Sequence, residues 1–74
     1  MLVHIVMDRG GDSRHAFDAG NPREVARSKA HFDALTKRGF RAVALGKNGQ
    51  PGRLLRTFDP KVEETLFIPQ LVGG

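Results

Sequence analysis

The sequence predicts an α+β domain in which one helix packs against one face of a mixed sheet of four to five strands. Short apolar segments bounded by turn residues are typical of strands, whereas one longer segment, Pro22 to about Arg38, has the periodicity of an amphipathic helix. The chain has 74 residues, which is room for one domain. A single helix between two strand pairs can bury its apolar stripe only against a sheet.

The N-terminal segment is predicted to be a β-hairpin. Its first strand alternates an apolar set of residues, at positions 3, 5 and 7, with a mixed set at positions 2, 4 and 6 that we expect on the outer face. The segment Asp8 to Asp12 is dense in turn residues, and its two glycines, Gly10 and Gly11, can take positive φ. Ser13 to Asp18 then returns as a more polar second strand.

The helix carries clear start and stop signals. Asn21 can accept hydrogen bonds from the first-turn N–H groups, Pro22 suits the first helical position, and Glu24 stands three residues after the cap. Gly39 is the expected left-handed stop. The predicted buried stripe consists of Val25, Ser28, Phe32 and Leu35, flanked by Ala26 and Ala30.

Three further strands are expected after the helix, at Phe40–Leu45, Arg53–Phe58 and Thr65–Ile68. The sheet is continuous if the first and last strands lie side by side at its centre. We therefore expect a domain over residues 1–68 and a flexible C-terminal tail over residues 69–74, which leaves a central strand and ends in Gly-Gly.

Composition excludes several classes of function. The chain has no cysteine, so it has no disulfides, thiolate catalysis or thiolate metal sites. Its net charge is +4, but the basic residues are scattered and Trp and Tyr are absent, which argues against nucleic-acid binding. No apolar run is long enough for a transmembrane helix, and the N-terminus does not resemble a secretory signal. We expect a cytoplasmic protein that does not bind membranes.

The remaining polar residues do not suggest an active site. His4 and His15 could face each other across the hairpin and, with Asp18, resemble a metal site, but no close-spaced histidine pair supports this, and we predict no metal. His31 lies beside the helix stripe with no evident partner. No nucleophile-base spacing and no phosphate-binding loop is recognisable. The protein is therefore expected to have no catalytic residues and not to be an enzyme.

The chain resembles the ubiquitin-like β-grasp superfamily in element order, size and closing diglycine. Phe40–Lys47 is similar to the third strand of ubiquitin and the turn after it, and Glu64-Thr65-Leu66 with the Leu-x-Gly-Gly ending is similar to ubiquitin's end. The segment Phe67–Gly74 resembles the small subunit of molybdopterin synthase, although Gln70 replaces a second proline. Related families are the sulfur carriers of thiamine synthesis and the bacterial ubiquitin-like proteins encoded beside activating, conjugating and JAB-type peptidase enzymes.

The resemblance implies chemistry at the C-terminal tail. A carboxylate must be activated before a nucleophile can take it, and the superfamily does this by adenylating the terminal glycine, here Gly74. Gly74 and Gly73 have no Cβ and can thread into a narrow nucleotide pocket. Pro69 cannot donate to a strand ladder, so pairing is expected to stop there. The enzyme-docking tail then comprises Pro69, Leu71 and Val72.

Resemblance to ubiquitin also places a surface patch on the outer face of the third and last strands, with Val43 as one candidate, joined by Phe67 or Ile68. The implied partners are an adenylating activating enzyme, a conjugating enzyme, a JAB-type peptidase and a target protein. The protein itself binds no cofactor, since ATP and Mg²⁺ are used by the activating enzyme.

Three functions remain open at this point. The first is a protein modifier joined through Gly74 to a target nucleophile. The second is a sulfur carrier that forms a thiocarboxylate at Gly74. The third is a non-catalytic interaction module, in which Gly73 and Gly74 have no chemical role, because terminal glycine pairs also occur by chance.

Overall fold

The fold was obtained as a computed structural model that describes residues 1–46 and 51–70. Within these described residues, the predicted combination of one helix and a mixed sheet is confirmed, and the sheet has five strands. In chain order the elements are β1 Leu2–Asp8, β2 Gly11–Phe17, α1 Pro22–Lys37, β3 Phe40–Leu45, β4 Pro51–Leu55 and β5 Glu64–Pro69.

The strand order in the sheet is β2-β1-β5-β3-β4. The first and last strands run parallel and side by side, as predicted, with Ile5 opposite Leu66. The other three pairings are antiparallel. Strand β5 is therefore the middle strand, bonded to β1 on one side and β3 on the other, and the chain leaves the sheet from this strand.

The first hairpin closes with a two-residue turn between Asp8 and Gly11, and Gly11 has a φ of +123°. Which face of β1 is buried differs from the prediction. The mixed set Leu2, His4 and Val6 is buried, whereas the alternate apolar residues are half-buried or exposed. The mixed set can face inward because Leu2 and Val6 are apolar and His4 finds a polar partner on α1.

The helix begins and ends close to its predicted bounds. The Asn21 side chain accepts a 3.0 Å hydrogen bond from the N–H of Arg23, and Gly39 has a φ of +101° just after the cap Arg38. Ser28, Phe32 and Leu35 are buried as predicted, while Ala26 and Ala30 are exposed. In the described part of the chain, no helix is sufficiently long and apolar to cross a membrane.

The hydrophobic core lies between α1 and one face of the sheet. The two phenylalanine rings at its centre, Phe32 and Phe67, are 1% and 0% exposed and meet edge to face at 5.7 Å. Phe58 and Val62, from the connection between β4 and β5, pack against the same cluster. The buried cluster consists of Val6, Phe32, Leu35, Ala42, Leu55 and Phe67.

Strand β4 is earlier than predicted, at Pro51–Leu55 rather than Arg53–Phe58. Gly52 explains the shift, because its missing Cβ allows β4 to lie against the backbone of Ala44 at an irregularity in the β3–β4 register. Phe58 lies beyond the strand and contributes its ring to the core instead. Strand β5 is one residue longer at each end than the predicted Thr65–Ile68.

Candidate functional site

The start of the predicted tail is held to the sheet. Pro69 is the last residue of β5 and lies opposite Phe40, and the N–H of Gln70 donates a 3.1 Å hydrogen bond to the carbonyl of Gly39. Pairing was expected to stop at Pro69. It continues by one residue because successive N–H groups of a strand point to opposite sides, so the prolyl nitrogen faces away from the β3 side.

The other tail residues of the prediction, Leu71, Val72, Gly73 and Gly74, lie outside the described residues. What the structure establishes is the point from which they leave. The chain is held as far as Gln70, the residue that follows the end of the middle strand.

The face of the sheet opposite α1 carries a row of apolar side chains across four strands. Leu66 on β5 lies between Ile5 on β1 and Val43 on β3, and Val43 lies beside Leu54 on β4. Met7 and Ile68 stand on the same face, two residues beyond Ile5 and Leu66. We call this set the outer apolar surface: Ile5, Met7, Val43, Leu54, Leu66 and Ile68.

The outer apolar surface is accessible to a partner. Leu54, Met7 and Ile68 are 49%, 40% and 39% exposed, and the other members are half-buried. None of the described segments lies over it, because α1 and the β4–β5 connection pack on the opposite face. A contiguous apolar surface with this exposure is typical of interaction sites.

Charged residues border this surface. Arg41 is exposed and lies opposite Ile68, close to the point where the tail leaves the sheet. Arg14 on β2 and Glu64 on β5 reach towards each other over β1, with 4.0 Å between guanidinium and carboxylate. Both side chains are largely solvated, so this pair adds little stability. The pair lies at the edge of the outer apolar surface that is nearest to the first hairpin.

Phe67 does not belong to this surface, which corrects the predicted patch. Because side chains alternate along a strand, Phe67 and Thr65 face α1 and are buried, while Leu66 and Ile68 face outward. Val43 lies on the outer face, opposite Leu66. Of the two alternatives for the last strand, Ile68 lies on the outer face and Phe67 does not.

A second polar feature lies on the helix side of the sheet. His4 on β1 is 2% exposed, and its Nδ1 atom is 2.8 Å from the Nδ1 atom of His31 on α1. His15 on β2 lies directly opposite His4 in the strand register, and its ring centroid is 4.7 Å from that of His31. The rings of Phe17 and Phe67 lie 5.1 and 5.0 Å from the His4 ring.

These three residues, His4, His15 and His31, form a histidine cluster, in which the environment disfavours protonation of His4 and His31. Burial, and to a smaller extent the proximity of His31 and His15, lowers the pKa of His4 from 6.5 to about 4. Burial and the neighbouring His15 likewise lower the pKa of His31. Both imidazoles of the bonded pair are therefore neutral at pH 7.

The sequence reasoning missed the contact between His4 and His31, because it gave His31 no partner. The available signal was the position of His31, three residues after Ser28 and four before Leu35, which places it next to the buried stripe. Asp18, the third residue of the considered metal site, instead accepts a 2.9 Å hydrogen bond from the N–H of Gly20. Over residues 1–46 and 51–70, no three ligating side chains are arranged to hold a metal ion.

Comparison with known proteins gives no match: no family model matches the chain, and no curated protein or solved structure is significantly similar to it.

Proposed function

We propose that this chain is a ubiquitin-like protein modifier, activated at Gly74 by adenylation and then transferred to a nucleophile on a target protein. The observation that carries the proposal is the position of β5. This middle strand ends at Pro69, beside the outer apolar surface, and the diglycine follows it four and five residues later in the sequence.

The topology supports the proposed β-grasp identity of the fold. The order of elements, two strands, one helix and three strands, is compatible with a β-grasp domain, as is the parallel pairing of β1 with β5 at the centre of the sheet. A β-grasp modifier needs its C-terminal segment to leave a firmly held strand. Here the last strand is bonded on both sides.

The spacing between Gln70 and Gly74 suits reaction inside another protein. Gly74 lies four residues after Gln70, and this segment spans at most about 14 Å when fully extended. That reach lets a terminal carboxylate enter a nucleotide pocket while the folded domain remains outside. Without a Cβ, neither Gly73 nor Gly74 would widen the segment that has to pass the pocket wall.

The proposed reaction has two balanced steps. A carboxylate oxygen of Gly74 attacks the α-phosphorus of ATP, the bond to the β-phosphate oxygen breaks, and magnesium pyrophosphate leaves. A nucleophile then attacks the carbonyl carbon of the acyl-adenylate, loses its proton to a base and releases AMP. The first step needs a free carboxylate on Gly74, so the working form must end there, either as translated or after cleavage by a JAB-type peptidase.

The outer apolar surface is the proposed docking site for the activating and conjugating enzymes. Ile68 and Arg41 lie at its end nearest to Pro69, so a protein bound there would be positioned to receive the tail. Leu54, at the far end of the apolar row, provides the most exposed contact. Pro69, Leu71 and Val72 would add apolar contacts along the tail itself.

A second candidate is a sulfur carrier, and one observation favours it. The order aromatic, apolar, proline before the diglycine, at Phe67, Ile68 and Pro69, resembles the small subunit of molybdopterin synthase more closely than ubiquitin. In that case a sulfur nucleophile would take the adenylate, and Gly74 would carry a thiocarboxylate. Activation is common to both candidates, and the fate of the acyl group differs.

The first test is ATP–pyrophosphate exchange with an adenylating enzyme encoded beside this chain, followed by intact-mass measurement. The modifier proposal predicts exchange that depends on the chain and a covalent adduct with another protein. Exchange of one carboxyl oxygen for sulfur would establish the carrier instead. A chain lacking residues 73 and 74 is the matched control and should support neither reaction.

The outcome that would contradict both candidates is the absence of any exchange with an enzyme shown to be active on another substrate. If the chain lacking residues 73 and 74 then still bound its cellular partner, while Leu54→Ser abolished binding, the protein would be an interaction module. Circular dichroism of each variant must match that of the unaltered chain for these results to count.

A further inference from the structure

All three histidines of the chain belong to the histidine cluster. They come from three different elements, β1, β2 and α1, and meet on the helix side of the sheet. The proposed function gives this cluster no role, since it lies on the face opposite to the outer apolar surface. Its position between the hairpin and the helix is the starting point for a separate inference.

We propose that the histidine cluster is an acid-sensitive joint, which holds the first hairpin against α1 when its imidazoles are neutral and loosens this contact when they take up protons. The proposal is independent of the chemistry at Gly74.

The hydrogen bond between His4 and His31 forms only when one proton lies between their two Nδ1 atoms. A hydrogen bond between two Nδ1 atoms needs one nitrogen that carries a proton and one that does not, so two neutral rings must adopt opposite tautomers. Full protonation of both rings puts a donor on each Nδ1 atom at 2.8 Å. The hydrogen bond is then lost and two positive charges face each other.

The surroundings offer the charged pair little compensation. From β2, His4 faces His15 and Phe17, neither of which carries a negative charge. From β5 it faces Thr65 and Phe67, neither of which titrates in this range.

On α1, the charged residue one turn before His31 is Arg27, a cation that lies 3.4 Å from Glu24. Burial and the neighbouring His31 and His15 lower the pKa of His4, and burial and His15 lower the pKa of His31. His4 and His31 therefore resist protonation in the folded state.

The direction of the pH effect follows from proton counting. A histidine in the unfolded chain has a pKa near 6.5, whereas the pKa of folded His4 is about 4. Between these values the unfolded state binds more protons than the folded state, so acid favours opening. The stabilisation is complete above about pH 6.5 and is lost as the pH falls towards 4.

The part of the fold that should loosen first is β2. It is an edge strand with β1 as its one neighbour in the sheet, and it is one of the two strands with which α1 makes most of its contacts. Separation of α1 from the hairpin would leave β1, β5, β3 and β4 paired. The outer apolar surface, which has no member on β2, would persist.

Two measurements test the proposal, the first on the tautomers. Long-range ¹H–¹⁵N correlation spectra at pH 7.5 should show opposite neutral tautomers for His4 and His31. The same Nε2–H tautomer on both rings, or a charged ring, would overturn the proposed pair. This measurement does not depend on stability.

The second measurement is urea unfolding from pH 7 to pH 5, a range above most of the carboxylate titration. The unfolding equilibrium constant should rise by more than about tenfold per pH unit near pH 5.5, because one proton taken up on unfolding gives at most about tenfold. The variant H31Q, which keeps a polar group beside His4, should reduce the rise to less than tenfold. The variant H15Q should change it less than H31Q does.

An unchanged pH dependence in H31Q, or a flat one in the unaltered chain, would overturn the proposal. Urea unfolding at pH 7 with added Zn²⁺ provides a further test. Stabilisation by the metal that is lost in H4Q, H15Q and H31Q alike would identify a metal site instead of a proton-sensitive joint. If H4Q does not fold, the comparison of H31Q with H15Q still decides.

Discussion

The carbonyl oxygen of Gly39 accepts a 3.1 Å hydrogen bond from the backbone N–H of Gln70. Gly39 follows the helix cap Arg38 and has a φ of +101°, so the residue that turns the chain out of α1 also fixes the chain just beyond β5. The backbone of Gly39 therefore contributes both to the end of α1 and to the position of Gln70. A change in the backbone at Gly39 should affect both.

Gly39→Ala is expected to destabilise the domain by about 1–2 kcal/mol, because an L side chain is strained at positive φ. The space around the position is not the cause, since a Cβ there would meet no atom within 4 Å. Urea unfolding measures the loss, and amide exchange at Gln70 should accelerate. Gly10→Ala is the matched control, as it has equal space and no positive φ, and it should cost less.

Gly52→Ala should weaken the β3–β4 pairing by a different mechanism. A Cβ at this position would collide with the carbonyl oxygen of Ala44, and backbone atoms cannot move aside as a flexible side chain can. We expect a larger loss of stability than for Gly39→Ala, together with faster amide exchange in β4. Equal stability of the variant and the unaltered chain would contradict the close packing of β4 on Ala44.

A substitution on the buried face of the sheet should reduce stability, whereas one on the outer face should reduce partner binding. Phe67→Ala removes a fully buried ring and is expected to cost about 3–5 kcal/mol, enough to unfold a domain of this size. Leu54→Ser should cost well under 1 kcal/mol, because about half of the Leu54 side chain is already exposed. If Leu54 contributes to docking, this second variant loses partner binding while its thermal unfolding midpoint stays close to that of the unaltered chain.

The helix could be predicted accurately because its signals are local. Asn21, Pro22 and Gly39 act within one turn of the helix ends, and the stripe of Ser28 and Phe32 follows from the helical period alone. The central position of the first and last strands was predictable for a related reason, since one helix between two strand pairs leaves few continuous sheets.

The sequence could not establish which face of each strand is buried. In β1 and β5 both faces carry apolar residues, so the two-residue period defines two sets but does not say which one meets the helix. The burial of His4 and the outward orientation of Ile5 depend on tertiary structure, because His31 on α1 is the polar partner of His4. The same limit applies to Phe67, whose burial depends on the ring of Phe32.

The boundary of β4 was missed because the determining contact is not local. Gly52 can be recognised as a turn residue in the sequence, but its use as a close approach to Ala44 depends on the partner strand. The pairing of Gln70 with Gly39 was missed in the same way. A proline at position 69 predicts that the hydrogen bonding between strands ends there. The N–H of Gln70, however, points to the opposite side of β5 and can still donate.

Replacing Gln70 with proline tests the hydrogen bond between its N–H and Gly39. Gln70→Pro removes the N–H that bonds to Gly39, and its ring requires no backbone change in Pro69, which is already extended. The expected cost is about 1 kcal/mol, the value of a typical backbone hydrogen bond. Gln70→Ala keeps the N–H and should be nearly neutral, so the difference between the two variants in urea unfolding isolates the bond. Proteolysis should also occur faster near residue 70 in the proline variant, because the tail then begins one residue earlier. If both variants unfold at the same urea concentration, the hydrogen bond to Gly39 does not hold the start of the tail.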